Sequence, residues 1–184
     1  MTAQDSTLRI ATITTPRGGR LGMTLCPGKI GPGRVHLWER DIEQDLAAIE
    51  AWGASGLLTL MEHHELVTYQ VHDLPERART HLGPNGWFHL PIVDCDVPDQ
   101  STEAAWEEMA PALHERLAHG RGLVLHCLGG LGRTGVVACR LLVEQGVEPE
   151  EALRSVRQAR PGAVETPKQE AYVLRLEGGI RGTD

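Results

Sequence analysis

A cysteine and an arginine stand six positions apart in this chain, as Cys127 and Arg133, with three glycines between them. The whole segment reads His126-Cys127-Leu128-Gly129-Gly130-Leu131-Gly132-Arg133-Thr134. The apolar run Leu123-Val124-Leu125 precedes it, and a helical pattern follows it. A glycine-rich turn between a buried strand and a helix is a common place for anions to bind.

Each residue type in this segment has a chemical reason to be there. Closely spaced glycines let the backbone curl so that several N–H groups aim at one point, where the helix dipole adds positive potential. The planar guanidinium of Arg133 can hold two oxygens of a phosphate at once. That positive field favours the thiolate of Cys127, which would be a nucleophile aimed at a bound phosphorus.

Other glycine-rich loops fit the segment less well. The loop of P-loop NTPases ends in Gly-Lys-Ser/Thr, whereas this segment ends in Gly132-Arg133-Thr134. A dinucleotide-binding loop usually lies early in the chain, with an acidic residue about 20 positions later. The pairing of cysteine with arginine therefore favours phosphoryl chemistry over nucleotide binding.

The motif His-Cys-x5-Arg-Thr resembles the signature of the protein tyrosine and dual-specificity phosphatases. Rhodaneses use a similar loop with one residue fewer between cysteine and arginine. The resemblance implies catalysis without metal or other cofactor, in which Cys127 attacks phosphorus, Arg133 binds phosphate and Thr134 assists thiolate departure. His126 would fix the loop rather than transfer protons. The implied substrate-binding residues are Leu128, Gly129, Gly130, Leu131, Gly132 and Thr134.

Such phosphatases also need a proton donor, an aspartate on a mobile loop about thirty residues before the cysteine. Asp94, Asp96 and Asp99 lie in that region. Asp94 directly follows a predicted strand and matches the pattern Pro-Ile-x-Asp, so it is the preferred general acid. Asp96 stays an alternative, while Asp99 resembles a helix cap or loop anchor.

Further segments narrow the resemblance to the kinase-associated phosphatase branch, over about residues 20–177. They are Leu21–Gly28, Arg40–Leu46, Pro91–Asp99, Cys127–Arg133 and Thr166–Tyr172, in which Gln169 would border the pocket. The resemblance implies a phosphorylated protein as substrate, on Ser, Thr or Tyr; a small-molecule or phosphoinositide phosphatase and a silent phosphate-binding module remain alternatives. Sixteen arginines against two lysines suggest a bacterial relative.

Alternating strand and helix signals predict one α/β domain with a mainly parallel sheet flanked by helices, of the dual-specificity phosphatase type. Residues 1–20 are expected to be a loosely ordered lead-in with a short strand at Leu8–Ile13, and residues 21–180 the phosphatase domain. The predicted strands are Gly56–Met61, Trp87–Val93 and Leu123–His126, and Pro27–Gly33 is a predicted loop. Helices are predicted from Glu39 to Gly53, from Ser101 or Thr102 to Gly120, and over 133–145, 149–159 and 166–177, with one or two short helices broken at Pro75 within 62–82.

Composition excludes several classes of partner. The net charge of −7 without a basic cluster argues against nucleic-acid binding and against docking on anionic membranes. The first ten residues lack the pattern of a secretory signal, and the longest apolar run is far shorter than a bilayer span, so a cytoplasmic location is predicted.

The four cysteines show no CxxC pair and are predicted to be reduced thiols. Cys26, Cys95 or Cys139 is a candidate to trap an oxidised Cys127 as a disulfide, although packing roles are the preferred interpretation for Cys26 and Cys139. The histidines lack metal-ligand spacing, and no metal site is predicted.

Overall fold

A five-stranded sheet forms the centre of the computed structural model, which describes residues 7–33 and 37–177. Its strand order is β1-β2-β7-β5-β6, and a separate hairpin pairs β3 with β4. The strands are β1 Ala11–Thr14, β2 Arg20–Thr24, β3 Ile30–Pro32, β4 Leu37–Glu39, β5 Ala54–Thr59, β6 Trp87–His89 and β7 Gly122–His126. The helices are α1 Ile42–Trp52, α2 His63–Thr68, α3 Leu74–Leu82, α4 Gln100–Ala118, α5 Gly132–Glu144, α6 Pro149–Ala159 and α7 Pro167–Val173.

Three of the sheet's pairings are parallel, and only β1 runs antiparallel to its neighbour β2. The register aligns His126 with Thr24 on one side and with Thr59 on the other, and Thr59 with His89. The strands β2, β5, β6 and β7 therefore end at the same edge of the sheet. Loops that leave this edge meet, which is where ligands bind in open α/β sheets.

Burial explains why β7 occupies the centre. All of its residues are buried, and Leu123, Val124 and Leu125 are fully so. A strand buried on both faces needs a continuous apolar run rather than alternation. Helix α5 packs against β2 and β7, while Trp106, Leu113 and Leu117 of α4 enter the core. The predicted α/β class with a mainly parallel sheet is confirmed.

Helix ends follow local side-chain chemistry. Asp41 caps α1 by accepting from the N–H groups of Glu43 and Gln44, and Gly53 ends it with φ 94°. Asp99 caps α4 by accepting from the N–H of Thr102, so this helix begins before Ser101, which was one of the two predicted caps. Pro75 lies in the first turn of α3, where proline costs no hydrogen bond, and therefore starts this helix rather than breaking one.

The N-terminal region departs most from expectation. Within the expected loose lead-in, β1 pairs with β2 and Leu8 is buried, so residues 7–20 are part of the fold. Strand β2 was missed, and β3 lies inside the predicted loop Pro27–Gly33. The short strand predicted at Leu8–Ile13 is present as β1, shifted toward Thr14, and its residues alternate between partly buried and exposed. Residues 1–6 and 178–180, also covered by the domain prediction, lie outside the described residues.

Two predicted elements are shorter than expected. Strand β6 ends at His89 instead of Val93, because Pro91 cannot donate to a ladder. Helix α7 ends at Val173 rather than near residue 177. None of the helices that the structure describes is long and apolar enough to cross a membrane.

Candidate active site

The cysteine loop, residues 127–131, leaves the carboxyl end of β7 and leads into α5. Cys127, the first residue of the loop, is 3% exposed. Gly130 has φ +70°, and a Cβ there would lie 2.2 Å from the carbonyl oxygen of Thr24. Only glycine fits this close approach to β2, so the predicted need for glycine in the loop has a specific cause at this position.

Two cations hold the outer side of the loop. Lys29 donates to the carbonyl oxygen of Leu128 at 3.0 Å. Arg160, just after α6, donates through Nε to Gly130 and through Nη2 to Gly129, both at 3.0 Å. Sequence reasoning missed both residues. Burial lowers the pKa of Lys29 to about 8, and the charge of the two nearby cysteines partly opposes this shift.

Arg133 lies in the first turn of α5, and its side chain is 1% exposed. Glu65 of α2 accepts from both ends of the guanidinium, at 2.6 Å from Nη1 and 2.9 Å from Nη2. The carbonyl of Ile92 accepts a further bond from Nη1 at 3.0 Å. Burial lowers the pKa of Arg133, but the hydrogen bond to Glu65 and the negative charges of Cys127, Glu65 and Asp94 outweigh it, and the net shift is upward.

Glu65 is the third residue that sequence reasoning missed. It is buried in a short helix, and one of its oxygens also accepts from the backbone N–H of Glu62 at 2.8 Å. The signal for it was weak, because a single glutamate beside Leu66 looks like any surface residue of a short helix. A buried carboxylate needs a cationic partner, so the pairing with Arg133 could have been inferred only if the burial of Glu65 had been predictable.

The three candidate acids have different surroundings. The Asp94 side chain is 60% exposed, with Oδ1 2.9 Å from Nη2 of Arg133. Asp96 forms an ion pair with Lys168, which together with the N–H of Val97 lowers the pKa of its carboxyl. Asp99 caps α4, and hydrogen bonds from Thr102 and Ser101 lower its pKa to about 2. Of these three, Asp94 is the one in contact with the arginine.

Thr134 lies in the first turn of α5, and the side chain of Gln169 from α7 packs against the same helix end. A Cβ on Gly132 would be 3.0 Å from Nε2 of Gln169, so this buried amide lies against the helix N-terminus. Gln169 donates to the carbonyl of Asp96 at 3.1 Å and thus joins α7 to the segment that carries Asp94. The hydroxyl of Thr134 is buried, and the described residues offer it no hydrogen-bond partner.

His126 is fully buried beneath the loop. Its Nε2 lies 2.7 Å from the hydroxyl oxygen of Thr59, which also accepts from the indole N–H of Trp87 at 2.9 Å. Burial lowers the pKa of His126 to about 3; the charge of Arg133 adds to the shift, and a hydrogen bond with the Cys127 backbone opposes it. The imidazole is therefore neutral at physiological pH, as expected of a residue that positions the loop.

The depressed pKa of His126 predicts a specific acid sensitivity. The unfolded chain binds this proton near pH 6.5 and the folded chain only near pH 3, so stability falls as the pH drops through that window. We expect the wild type to lose about 2 kcal/mol more stability between pH 7 and pH 4.5 than His126→Gln, whose amide can still reach Thr59. Urea unfolding at both pH values measures the difference.

A control separates burial from residue type. His64→Gln removes a histidine whose side chain is 73% exposed, and its pH dependence should match that of the wild type. Parallel stability curves for wild type and His126→Gln would contradict the prediction.

The other cysteines have elevated thiol pKa values. Burial raises the pKa of Cys26, and it raises that of Cys139 to about 12. For the exposed Cys95, partial burial and the adjacent Asp94 raise it as well. All three are free thiols, and trapping of an oxidised Cys127 by one of them stays a prediction. Within the described ranges, no group of three or more His, Cys, Asp or Glu residues could hold a metal ion.

This sheet, with a cysteine loop at its edge and an arginine on the helix that follows, defines the class of cysteine-dependent phosphatases. Residues 33–147, more than half of the chain, match the family model described as "Tc-R-P: Polymorphic toxin system, DSP-PTPase phosphatase". The chain belongs to this family.

Individual relatives agree with the predicted branch. Cyclin-dependent kinase inhibitor 3 of Mus musculus is 32% identical over 141 residues, which are 73% of this chain and 62% of that protein. The Homo sapiens protein of the same name is 31% identical over 142 residues, with the same coverage. The chain thus spans less than two thirds of the length of these curated relatives. The crystal structure of kinase associated phosphatase, with its catalytic site cysteine substituted by serine, matches with a TM-score of 0.78 and 27% identity over 92% of this chain and 93% of that one.

Proposed function

We propose that this chain hydrolyses phosphomonoesters on proteins through a phosphocysteine intermediate on Cys127. The observation that carries the proposal is the placement of Arg133, buried and held by Glu65, at the end of the cysteine loop and in contact with Asp94. In the related kinase associated phosphatase the residue substituted by serine is called the catalytic site cysteine, which supports the same role for Cys127.

Arg133 has the donors that a phosphate needs. Glu65 and the carbonyl of Ile92 use Nη1, and Glu65 and Asp94 use Nη2, whereas the described residues supply no acceptor for Nε. The Nε hydrogen and the Nη2 hydrogen that now faces Asp94 form one edge of the guanidinium, suited to two phosphate oxygens. A bound phosphate would therefore displace Asp94 from the arginine and free its carboxyl for proton transfer.

The first chemical step transfers the phosphoryl group to sulfur. The Cys127 thiolate attacks phosphorus, so an S–P bond forms while the P–O bond to the leaving group breaks. Asp94 gives its proton to the leaving oxygen. Arg133 and the amides of Leu128 to Gly132 hold the oxygens of the transferring group as their charge develops.

The second step hydrolyses the intermediate. Asp94, now ionised, takes a proton from water, whose oxygen attacks phosphorus as the S–P bond breaks. The hydroxyl of Thr134 donates to the departing thiolate, and phosphate leaves. These residues balance every proton in both steps without a metal ion or other cofactor.

A phosphorylated protein is the proposed substrate, with Ser, Thr and Tyr all open. The relatives named above favour it over inositol phosphates or other small molecules, and the cysteine loop carries no lysine that would suit highly charged inositol lipids. The cytoplasmic location and the absence of nucleic-acid and membrane partners stay predictions.

The test is hydrolysis of p-nitrophenyl phosphate between pH 5 and pH 8, with and without chelator, followed by rates on phosphopeptides and soluble inositol phosphates. We expect activity that resists the chelator and prefers phosphopeptides. A folded chain without activity would favour a phosphate-binding module, and activity lost on chelation would contradict the metal-free mechanism.

The acid role has its own test. Asp94→Asn should lower kcat about 100-fold to 1,000-fold on a phosphoserine peptide, because the alkoxide then leaves without a proton. The loss on p-nitrophenyl phosphate should be smaller, since nitrophenolate leaves readily. Asp96→Asn is the matched control and should change kcat by less than about threefold. A larger loss for Asp96→Asn than for Asp94→Asn would reassign the acid.

A further inference from the structure

Three consecutive carbonyl groups of the cysteine loop are held from outside by side-chain cations. Lys29 and the N–H of Cys26 donate to Leu128, at 3.0 and 3.3 Å. Arg160 donates to the next two carbonyls, those of Gly129 and Gly130. Lys29 precedes β3 and Arg160 follows α6, so the two cations come from opposite ends of the chain.

These bonds set the direction of the N–H groups that a phosphate would meet. In a trans peptide the C=O and the following N–H point in opposite directions, and the described residues contain no cis bond. The N–H groups of Gly129, Gly130 and Leu131 must therefore point away from Lys29 and Arg160. Without the cations, each peptide plane of a glycine-rich loop could turn at little cost.

Lys29 is unusual because it is only 3% exposed, and yet the described residues pair its ammonium with no carboxylate, only with a carbonyl oxygen and an aromatic ring. Its Nζ lies 4.1 Å from the centre of the Trp38 ring. The charged groups that act on it are Cys26 and Cys127, which favour its protonated form, and Arg40 and Arg160, which disfavour it. Burying an ammonium without a carboxylate costs free energy of folding, which indicates that the charge has a function at the loop.

The segment around Lys29 is itself anchored. The buried carboxylate of Asp45 accepts from the N–H of Gly28 at 2.9 Å and from both Nε and Nη2 of Arg40, at 2.7 and 2.6 Å. The N–H of Arg40 in turn donates to the carbonyl of Lys29 at 3.2 Å. These bonds fix the backbone on both sides of Lys29, so its side chain extends to the loop from a defined position.

We propose that Lys29 is a positioning residue that, together with Arg160, orients the loop amides for the phosphate and supplies positive charge behind them. The inference rests on the proposed function for its purpose, but it concerns anion binding, which can be measured without catalysis. Lys29 does not touch the reacting atoms; it acts through the Leu128 carbonyl and through its charge.

The test measures tungstate binding by titration calorimetry in a Cys127→Ser background, which removes the thiolate from the pH dependence. At pH 7, Lys29→Met should weaken binding about tenfold to a hundredfold, as expected when a hydrogen bond to a charged group is lost. The chain that retains Lys29 should itself bind more weakly as the pH rises from 7 to 9.5, because burial lowers the pKa of Lys29 to about 8 in the wild type and the loss of the Cys127 thiolate lowers it further. Cys26 stays a protonated thiol over this pH range, because burial raises its pKa. Arg133 and Arg160 stay charged, so none of these three groups adds a pH dependence of its own to tungstate binding.

Lys29→Arg provides the rescue, since a guanidinium keeps its charge and should bind tungstate at pH 9.5 as well as at pH 7. Arg154→Met is the charge-matched control: Arg154 is 67% exposed on α6, pairs with Glu151, and should change affinity by less than about twofold. A purely structural role for Lys29 would lower the unfolding temperature of Lys29→Met but leave tungstate affinity free of the pH trend.

The outcomes also separate this inference from the proposed function. Lys29-dependent tungstate binding in a chain whose wild type hydrolyses no phosphoester would refute the enzyme and keep the positioning role. An active wild type whose Lys29→Met variant binds tungstate as tightly as its parent would refute the positioning role alone.

Discussion

Replacement of Cys127 by serine is expected to lower kcat at least about 10,000-fold on every phosphoester, with tungstate affinity kept within about threefold. A serine hydroxyl is almost wholly protonated at neutral pH, and the nearby His126 and Glu65 are hydrogen-bonded to Thr59 and Arg133 instead. The loop keeps its shape because its carbonyls are held by Lys29 and Arg160, not by the thiol. Steady-state rates on p-nitrophenyl phosphate and calorimetric titration with tungstate check the two halves of the prediction.

A second thiol serves as control for this substitution. Cys139 lies on α5, fully buried and away from the cysteine loop, so Cys139→Ser should lower stability somewhat and leave kcat within about threefold. Acid quenching during turnover should trap one phosphoryl group on Cys127 in the wild type and none in Cys127→Ser. A serine variant with more than a tenth of wild-type activity would rule out the phosphocysteine mechanism.

The second large effect is expected at Arg133. Arg133→Lys keeps the charge but cannot bind Glu65 through two nitrogens and present a flat edge to the phosphate as well. We expect kcat/KM to fall about 1,000-fold, with KM raised and kcat lowered, because the lost bonds act on bound substrate and more strongly on the transition state. Initial rates over a range of p-nitrophenyl phosphate concentrations separate the two parameters.

Two further variants isolate the cause of that loss. Glu65→Gln leaves Arg133 in place with one neutral partner, so we expect a smaller fall of about 10-fold to 100-fold in kcat/KM. Arg154→Lys makes the same chemical change at an exposed ion pair of α6 and should be silent within about twofold. Equal losses for Arg133→Lys and Arg154→Lys would mean that the assay reports stability rather than phosphate binding.

The placement of the cysteine loop between a strand and a helix could be predicted because all of its signals are local. Cys127, the glycines and Arg133 are consecutive or nearly so, between an apolar strand and a helix, and a strand-to-helix turn determines their relative positions with little help from distant residues. The preference for Asp94 over Asp96 and Asp99 rested on the resemblance. Its contact with Arg133 agrees with that choice, and the cap suggested for Asp99 is confirmed.

The N-terminal part of the sheet could not be predicted so well. Strand β2 is short, includes Gly22, and follows a turn rich in glycine and arginine. Its burial comes from lying beside β7, a parallel neighbour about a hundred residues later in the chain. Such a pairing leaves no periodic signal in a strand of five residues.

The sequence by itself therefore determined the α/β class, and it led to the proposals that Cys127 is the nucleophile and that Arg133 binds phosphate, since these follow from residue types over short stretches. The tertiary structure alone decided what holds them: Glu65 lies 68 positions from Arg133, Lys29 lies 99 from Leu128, and Arg160 lies 30 from Gly130. These three partners meet the loop because four strands end at one edge of the sheet and because α6 returns to it. Contacts of that kind depend on strand order and helix packing, which no local pattern encodes.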